Sequence, residues 1–394
     1  MNLNWFLSRT VRHAGQMRKH FWKILMAQRD LLPAPATDAV TKALQGVADV
    51  VQGRPEKAAV EEQMERLEKA ANKWLKPYPF PGWRENIDVL LVAIAVALGI
   101  RTFFLQPFKI PTGSMQPTLY GITSNPNFKE SSEPPADSRP NPDFEFPNPI
   151  TRFLTYWYRG VSYTRVAAKS EGSIQAIEKP QRFLLFNLWQ RFQVGEQWYT
   201  VWFPPDELLE RAGLVARGQL NPRVFKPGEE IMKIKLISGD HLFVDRVSYN
   251  FRRPCRGDII VFQTAGIDYP PVPRDQFYIK RLVGLGGERL KIGADNHLRV
   301  NGHRLDTNTP GFERVYSFTN DYIGHTPIMS FAGEKEFPIR PDHYIVMGDN
   351  TANSLDSRFF GDFSREYVIG KAFCVYWPIG VQDGRANRFG WGIR

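Results

Sequence analysis

The sequence predicts a mainly β domain, preceded by one N-terminal transmembrane helix and a helical N-terminal extension. Three observations carry this prediction. From Ile231 to Trp377, short alternating runs are separated by frequent turn signals, the pattern of an all-β domain. Val89–Ile100 is the one apolar run of membrane grade. Ahead of it, Val60, Met64, Leu67, Ala71 and Leu75 recur at helical spacing among charged residues.

At 394 residues the chain is long enough for more than one domain. Its net charge of +10 is spread along the sequence. With no block of Lys and Arg, this favours an anionic membrane surface over nucleic acid. Residues 1–32 mix Trp5, Phe6, Phe21 and Trp22 with Arg9, Arg12, Arg18, Lys19 and Lys23. A helix lying on a membrane and a helix packed on its neighbour both fit. No apolar core of signal length precedes a small-residue cleavage site, so this is not a secretory signal.

Pro33 and Pro35 break the chain, and helices follow around Asp38–Val51 and Glu56–Leu75 as a solvated hairpin. Three prolines between Lys76 and Arg84 end the helical region, while Tyr78, Phe80 and Trp83 suit a membrane interface. Extended from Ile87 to Leu105, the apolar run reaches the about 20 residues a bilayer needs. Asp88 and Arg101 lie near its ends, within reach of headgroups. A buried core helix is the alternative. Lys73, Lys76 and Arg84 place the preceding side in the cytoplasm and everything from Phe108 outside. The expected domains are a cytoplasmic helical extension (1–83), an anchor (84–106) and an extracytoplasmic domain (107–394) with an insertion at about 122–230.

Within the insertion, Ser124–Pro149 is rich in Pro, Asn, Ser and Asp and predicts a loop. Arg182–Phe203 predicts a hairpin around Gly195, and Pro205–Gly213 a short helix. Strands are then expected at Met232–Ile237, Leu242–Val247, Ile259–Phe262, Tyr278–Val283, Tyr344–Met347 and Ala372–Trp377. Asn301-Gly302 between two short runs is a type I′ hairpin signal. Cys255 and Cys374 belong to no CxxC pair, and one disulfide or two thiols both fit. Gly284-Leu285-Gly286-Gly287 follows a strand but opens no helix, which excludes a phosphate loop.

The chemistry is expected in Ile110-Pro111-Thr112-Gly113-Ser114-Met115-Gln116-Pro117-Thr118-Leu119, just after the apolar run. Gly and Pro fix such a loop so that it presents one side chain with little room to relax. Ser114 is the candidate nucleophile, and a serine needs a base. None of the seven histidines stands in a triad setting or a short metal-ligand spacing. Lys280, between apolar residues of an alternating strand, is the remaining candidate. On an inward face it loses hydration and its pKa falls. On alternation alone, a lysine in such a strand is more often a surface residue.

The wider pattern resembles the bacterial type I signal peptidases. Pro111–Leu119 is similar to their serine box, Gly239–Arg246 to the next, and Arg256–Phe262 with Tyr278–Leu282 to their lysine box. Gly348–Arg358 with Gly361 is similar to the last. The likeness covers roughly Pro107–Leu119 and Gly239–Pro378, leaving out the N-terminal region and the insertion. It implies an antiparallel β catalytic domain and a Ser–Lys dyad, with Ser114 as nucleophile, Lys280 as general base and an acyl-enzyme on Ser114. It implies oxyanion donors in the Ser114 N–H and the Thr112 hydroxyl, where many relatives carry serine. Ser354 matches the serine that hydrogen-bonds the lysine amine. Asp349, Asp356 and Arg358 would form a structural network, and Met115, Tyr278 and Arg281 would support the dyad. Thr351-Ala352 departs from the Arg-Asp of many relatives.

The implied function is a membrane-anchored serine endopeptidase of the cytoplasmic membrane, with no cofactor or metal. Its partners would be signal peptides of exported preproteins, the lipid bilayer and the export machinery. Two alternatives are an inactive membrane-anchored β scaffold and a self-cleaving Ser–Lys repressor-like protein. The apolar run argues against the second, and the presence of both dyad residues against the first.

Overall fold

The computed structural model describes residues 9–52, 56–76, 81–125, 144–183, 186–216, 218–318, 322–333, 335–382 and 385–390. Expectations resting on Trp5, Phe6, Tyr78, Phe80, Leu184, Leu185 and most of the 124–149 loop lie outside these residues. The chain divides into two compact units, Met1–Val96 and Ala97–Arg394, so the division falls inside the apolar helix.

Helices α1 (Arg9–Gln28), α2 (Ala34–Gln52) and α3 (Lys57–Trp74) make up the bundle of the first unit. Ala14 and Leu25 of α1 enter one core with Val40, Val47, Val60 and Leu67. The packed reading of α1 is therefore the one the structure shows. The Gln28 amide donates to Lys76 O at 2.7 Å and accepts from Lys76 N at 3.1 Å, which closes the bundle.

Helix α4 (Pro81–Gly99) continues into a π turn at Ile100–Phe104. Asn86–Phe104 is long and apolar enough to cross a membrane. Its large side chains, Val89, Leu91 and Val96 among them, are exposed, so this is not the buried core helix of the alternative reading.

The second unit is built on a seven-stranded antiparallel sheet. In chain order its strands are β1 (Leu105–Lys109), β2 (His241–Asp245), β3 (Ile259–Gln263), β4 (Phe277–Leu285), β5 (His343–Met347), β6 (Phe363–Ser364) and β7 (Val368–Trp377). In space they run β1-β2-β7-β3-β4-β5-β6. Alternation along β3 sends Ile259 and Val261 into one core and Ile260 and Phe262 into another. Both faces are covered, which is why β3 and β4 read as nearly continuous apolar runs. A smaller sheet contains the predicted hairpin, with Asn301 at φ 49° and Gly302 at φ 84° as a type I′ turn requires.

Phe192, Tyr199, Leu208 and Phe225 of the insertion form one core with Met232 and Ile234 just beyond it. The hairpin around Gly195 pairs Phe186–Val194 with Gln197–Trp202. The expected helix over 205–213 contracts to a single turn, Leu208–Arg211, because Glu207 at φ 60° interrupts it. Helix α5 (Pro149–Arg159) is capped at both ends. Asn148 accepts from Thr151 N at 2.8 Å, Pro149 opens the first turn, and Gly160 closes it at φ 67°. Cys255 and Cys374 are free thiols.

Candidate active site

Ser114 sits in a 3₁₀ turn, Gly113–Met115, on the loop that follows β1. Apolar packing fixes this loop from below, since Ile110, Met115 and Leu119 are buried in the core beneath β2 and β3. Polar contacts fix it at both ends. Ile110 N donates to Asp240 O at 2.9 Å, and Tyr120 N donates to Asp240 Oδ2 at 2.7 Å. Behind Ser114, Asn350 donates from its backbone to Ser114 O at 3.1 Å and from Nδ2 to Gly113 O at 3.2 Å.

Strand β4 carries Lys280 opposite Ile260 of β3. Its Nζ lies 2.7 Å from Ser114 Oγ. Both side chains are 5% exposed. Burial lowers the Lys280 pKa from 10.5 to about 8, against the opposing pull of Asp356 and Asp349. The amine also stands 5.5 Å from the centre of the Tyr278 ring. A lysine so placed is half neutral near pH 8, where an ordinary lysine is almost wholly charged, and its neutral form can take the serine proton. Thr112 is exposed beside the dyad, with Oγ1 3.4 Å from Ser114 Oγ.

Two buried ion pairs frame the dyad. Arg281, next to Lys280, makes a bidentate pair with Asp349 at 2.8 and 2.6 Å. It also donates to Thr118 Oγ1 at 3.2 Å and Gly257 O at 2.9 Å. Asp356 accepts from Arg358 Nε at 2.9 Å and from Gly348 N at 2.9 Å. Burial pushes the Asp356 carboxyl upward, but Arg358, Gly348 N–H and Ser354 outweigh it and hold the pKa below its usual value. Arg358 in turn donates to the Thr351 hydroxyl and, at 2.9 Å, to Thr351 O. Thr351 is thus part of the network at the place where the sequence departs from many relatives.

One expected contact differs. The Ser354 hydroxyl donates to Asp356 Oδ2 at 2.6 Å, and no bond from Lys280 to Ser354 is among the hydrogen bonds of the described residues. The carboxylate is the stronger acceptor and is only two residues away. Ser354 therefore belongs to the Asp356–Arg358 network, and its effect on the amine is indirect.

The sequence reading missed the clamp on the loop. Arg388 pairs with the buried Asp240 at 2.7 and 2.8 Å and lies over the Tyr120 ring at 4.5 Å. Arg385 donates to Gly121 O at 3.1 Å and to Thr123 Oγ1 at 2.7 Å. Asp240 was visible in its Gly-Asp box, but Arg385 and Arg388 carry no local pattern that separates them from surface arginines.

A serine hydroxyl in contact with a buried lysine, on an antiparallel sheet, is the constellation that Ser–Lys hydrolases use. Comparison with known proteins narrows this class. The family profile described as "Signal peptidase, peptidase S26" matches residues 83–124 and 222–377, half of the chain. The chain belongs to this family. It is 34% identical over 151 residues to "Signal peptidase I" of Leptolyngbya laminosa, covering 38% of this chain and 66% of that one. It is 34% identical over 148 residues to "Probable signal peptidase I-2" of Synechocystis, covering 38% and 60%. With "Signal peptidase I P" of Bacillus subtilis subsp. natto it shares 33% identity over 155 residues, covering 38% and 74%. The chain thus spans somewhat under two thirds of the length of the first two of these relatives. The N-terminal bundle and residues 125–221 lie outside the family match.

Proposed function

We propose that this chain is a membrane-anchored serine endopeptidase that removes signal peptides from exported preproteins. The observation that carries the reading is the 2.7 Å approach of a buried, weakly basic Lys280 to Ser114. Neutral Lys280 Nζ takes the proton of Ser114 as Oγ attacks the scissile carbonyl. The Ser114 N–H and the Thr112 hydroxyl donate to the developing oxyanion. The lysine ammonium then protonates the leaving amine, and the acyl group remains on Ser114. Neutral again, Lys280 takes a proton from water, which attacks the ester and frees the enzyme.

Asn86–Phe104 serves as the anchor in this reading, with residues 1–83 in the cytoplasm and the β domain outside. Substrates then arrive at the outer face from the export machinery. Small residues at the first and third positions before the cut would suit small pockets, where a bulky side chain clashes. The test is cleavage of a preprotein by the purified chain in detergent. Ser114→Ala should abolish the cut, and a variant that still cuts at the wild-type rate would remove Ser114 from the mechanism.

A further inference from the structure

Helix α5 is turned the wrong way round for a surface helix. In a globular protein the apolar stripe of such a helix faces the core. Here Ile150, Phe153, Leu154 and Trp157, at i, i+3, i+4 and i+7, are 73%, 62%, 60% and 57% exposed. The opposite stripe faces the protein. Arg152 and Thr155 are half-buried, Tyr156 stacks edge-on with Trp377, and Arg159 Nε donates to Val381 O at 2.9 Å. The caps at Asn148 and Gly160 make this a built element and not a fraying segment.

We propose that this outward stripe docks on the lipid interface of the membrane that holds the chain; the proposal rests on the anchored reading above. Composition selects lipid over a protein partner. Residues 149–160 contain Trp157, Tyr156, Tyr158 and Phe153 with Arg152 and Arg159 and no acidic residue. The outward stripe itself, Ile150, Phe153, Leu154 and Trp157, has the aromatic and aliphatic make-up of helix faces that lie in the interface of a bilayer, and no carboxylate beside it opposes anionic lipids. Position supports the same occupant. The outer end of the apolar span, Ala97–Phe104, belongs to the same compact unit as α5 and runs directly into β1. Lys109 at the far end of β1 pairs with His241, His241 pairs with Trp377, and the Trp377 indole donates to Trp157 O at 2.8 Å. Five residues of strand and two strand spacings put α5 within roughly 30 Å of the end of the span. Residues 149–159 also lie outside the family match, so the docking face is an addition of this chain to the shared catalytic frame.

The test uses the full chain with Cys255→Ser and Cys374→Ser, reconstituted in phosphatidylcholine–phosphatidylglycerol vesicles. Single spin labels are placed through Trp157→Cys on α5, Val92→Cys in the span and Thr307→Cys on an exposed turn, and circular dichroism confirms that each variant is folded. Collisional relaxation by oxygen and by a water-soluble nickel complex reports depth. The expected result is a shift of position 157 away from the aqueous value at 307 and toward the lipid value at 92. Position 92 in lipid with 157 in water overturns the docking face and leaves the anchor standing. Position 157 shielded from both reagents means a protein covers it, which also overturns the proposal. Position 92 in water overturns the anchor and the docking face together.

Discussion

Replacing Lys280 with Met should abolish cleavage and, below pH 8, make the folded protein more stable. The structure gives the size of this effect. Burial lowers the Lys280 pKa from 10.5 to about 8. That difference is worth about 3 kcal/mol at 1.36 kcal/mol per pKa unit. The sign follows from linkage, since the folded chain binds this proton less tightly than the unfolded chain. The penalty on folding is full below pH 8, fades as pH rises from 8 to 10.5, and is gone once the unfolded lysine is neutral too. A methionine side chain at this position has no proton to lose. We therefore expect the stability of wild type to gain about 3 kcal/mol on the Lys280→Met variant across that window. The assay is urea unfolding of both full chains in detergent micelles from pH 7 to 10.5, where other titrations cancel in the difference. The kcat/KM of wild type should rise with pH through a midpoint near 8. A stability difference that stays flat with pH would refute the desolvated lysine, and with it the basis for its role near neutrality.

Thr112→Val keeps the shape beside the dyad but removes the hydroxyl. We expect a loss of about 10²–10³-fold in kcat, as for other oxyanion donors, and near-complete recovery in Thr112→Ser; equal activity in Val and Ser variants would exclude this donor. Asp349→Ala leaves the Arg281 guanidinium buried and unpaired, and should cost about 3–5 kcal/mol in unfolding free energy. The double variant Arg281→Met, Asp349→Leu should cost much less; equal losses would mean that burial of a lone charge is not the cause. Gly348→Ala would bring a Cβ within 2.2 Å of Ser354 Oγ and 2.5 Å of Ser114 O. It should push the nucleophile loop off the base and lower kcat, while KM for a peptide substrate changes little.

Much of the site was legible because its residues announce themselves in short boxes. Ser114 lies in a Gly- and Pro-fixed loop and Lys280 in an apolar strand, but alternation alone also suits a surface lysine, and their pairing rested on the resemblance of the four boxes to the type I signal peptidases. The type I′ hairpin at Asn301-Gly302 and the turn at Gly195 were legible because positive φ favours few residues. Other features depend on tertiary distance. Asp356 stands two residues from Ser354, but whether its carboxylate or the Lys280 amine takes the hydroxyl depends on where β4 packs against this turn. Arg385 and Arg388 acquire their meaning only when the chain folds back on Asp240 and Gly121. Helix α5 eluded the reading because its proline-rich approach masked a cap, Asn148-Pro149, that starts a helix.

The clamp on the nucleophile loop also bears on how the protein is made. Ser114 leaves the ribosome well before Arg388, which pairs with Asp240 beneath the loop. About 270 residues separate them, or roughly 15–50 s of synthesis at bacterial to eukaryotic elongation rates. Throughout that interval the nascent chain holds a serine whose loop is not locked and a carboxylate whose partner does not exist. The loop can therefore lock only after Arg388 has been made. A product cut short before Arg385 would carry its full dyad and still lack the lock that aligns it.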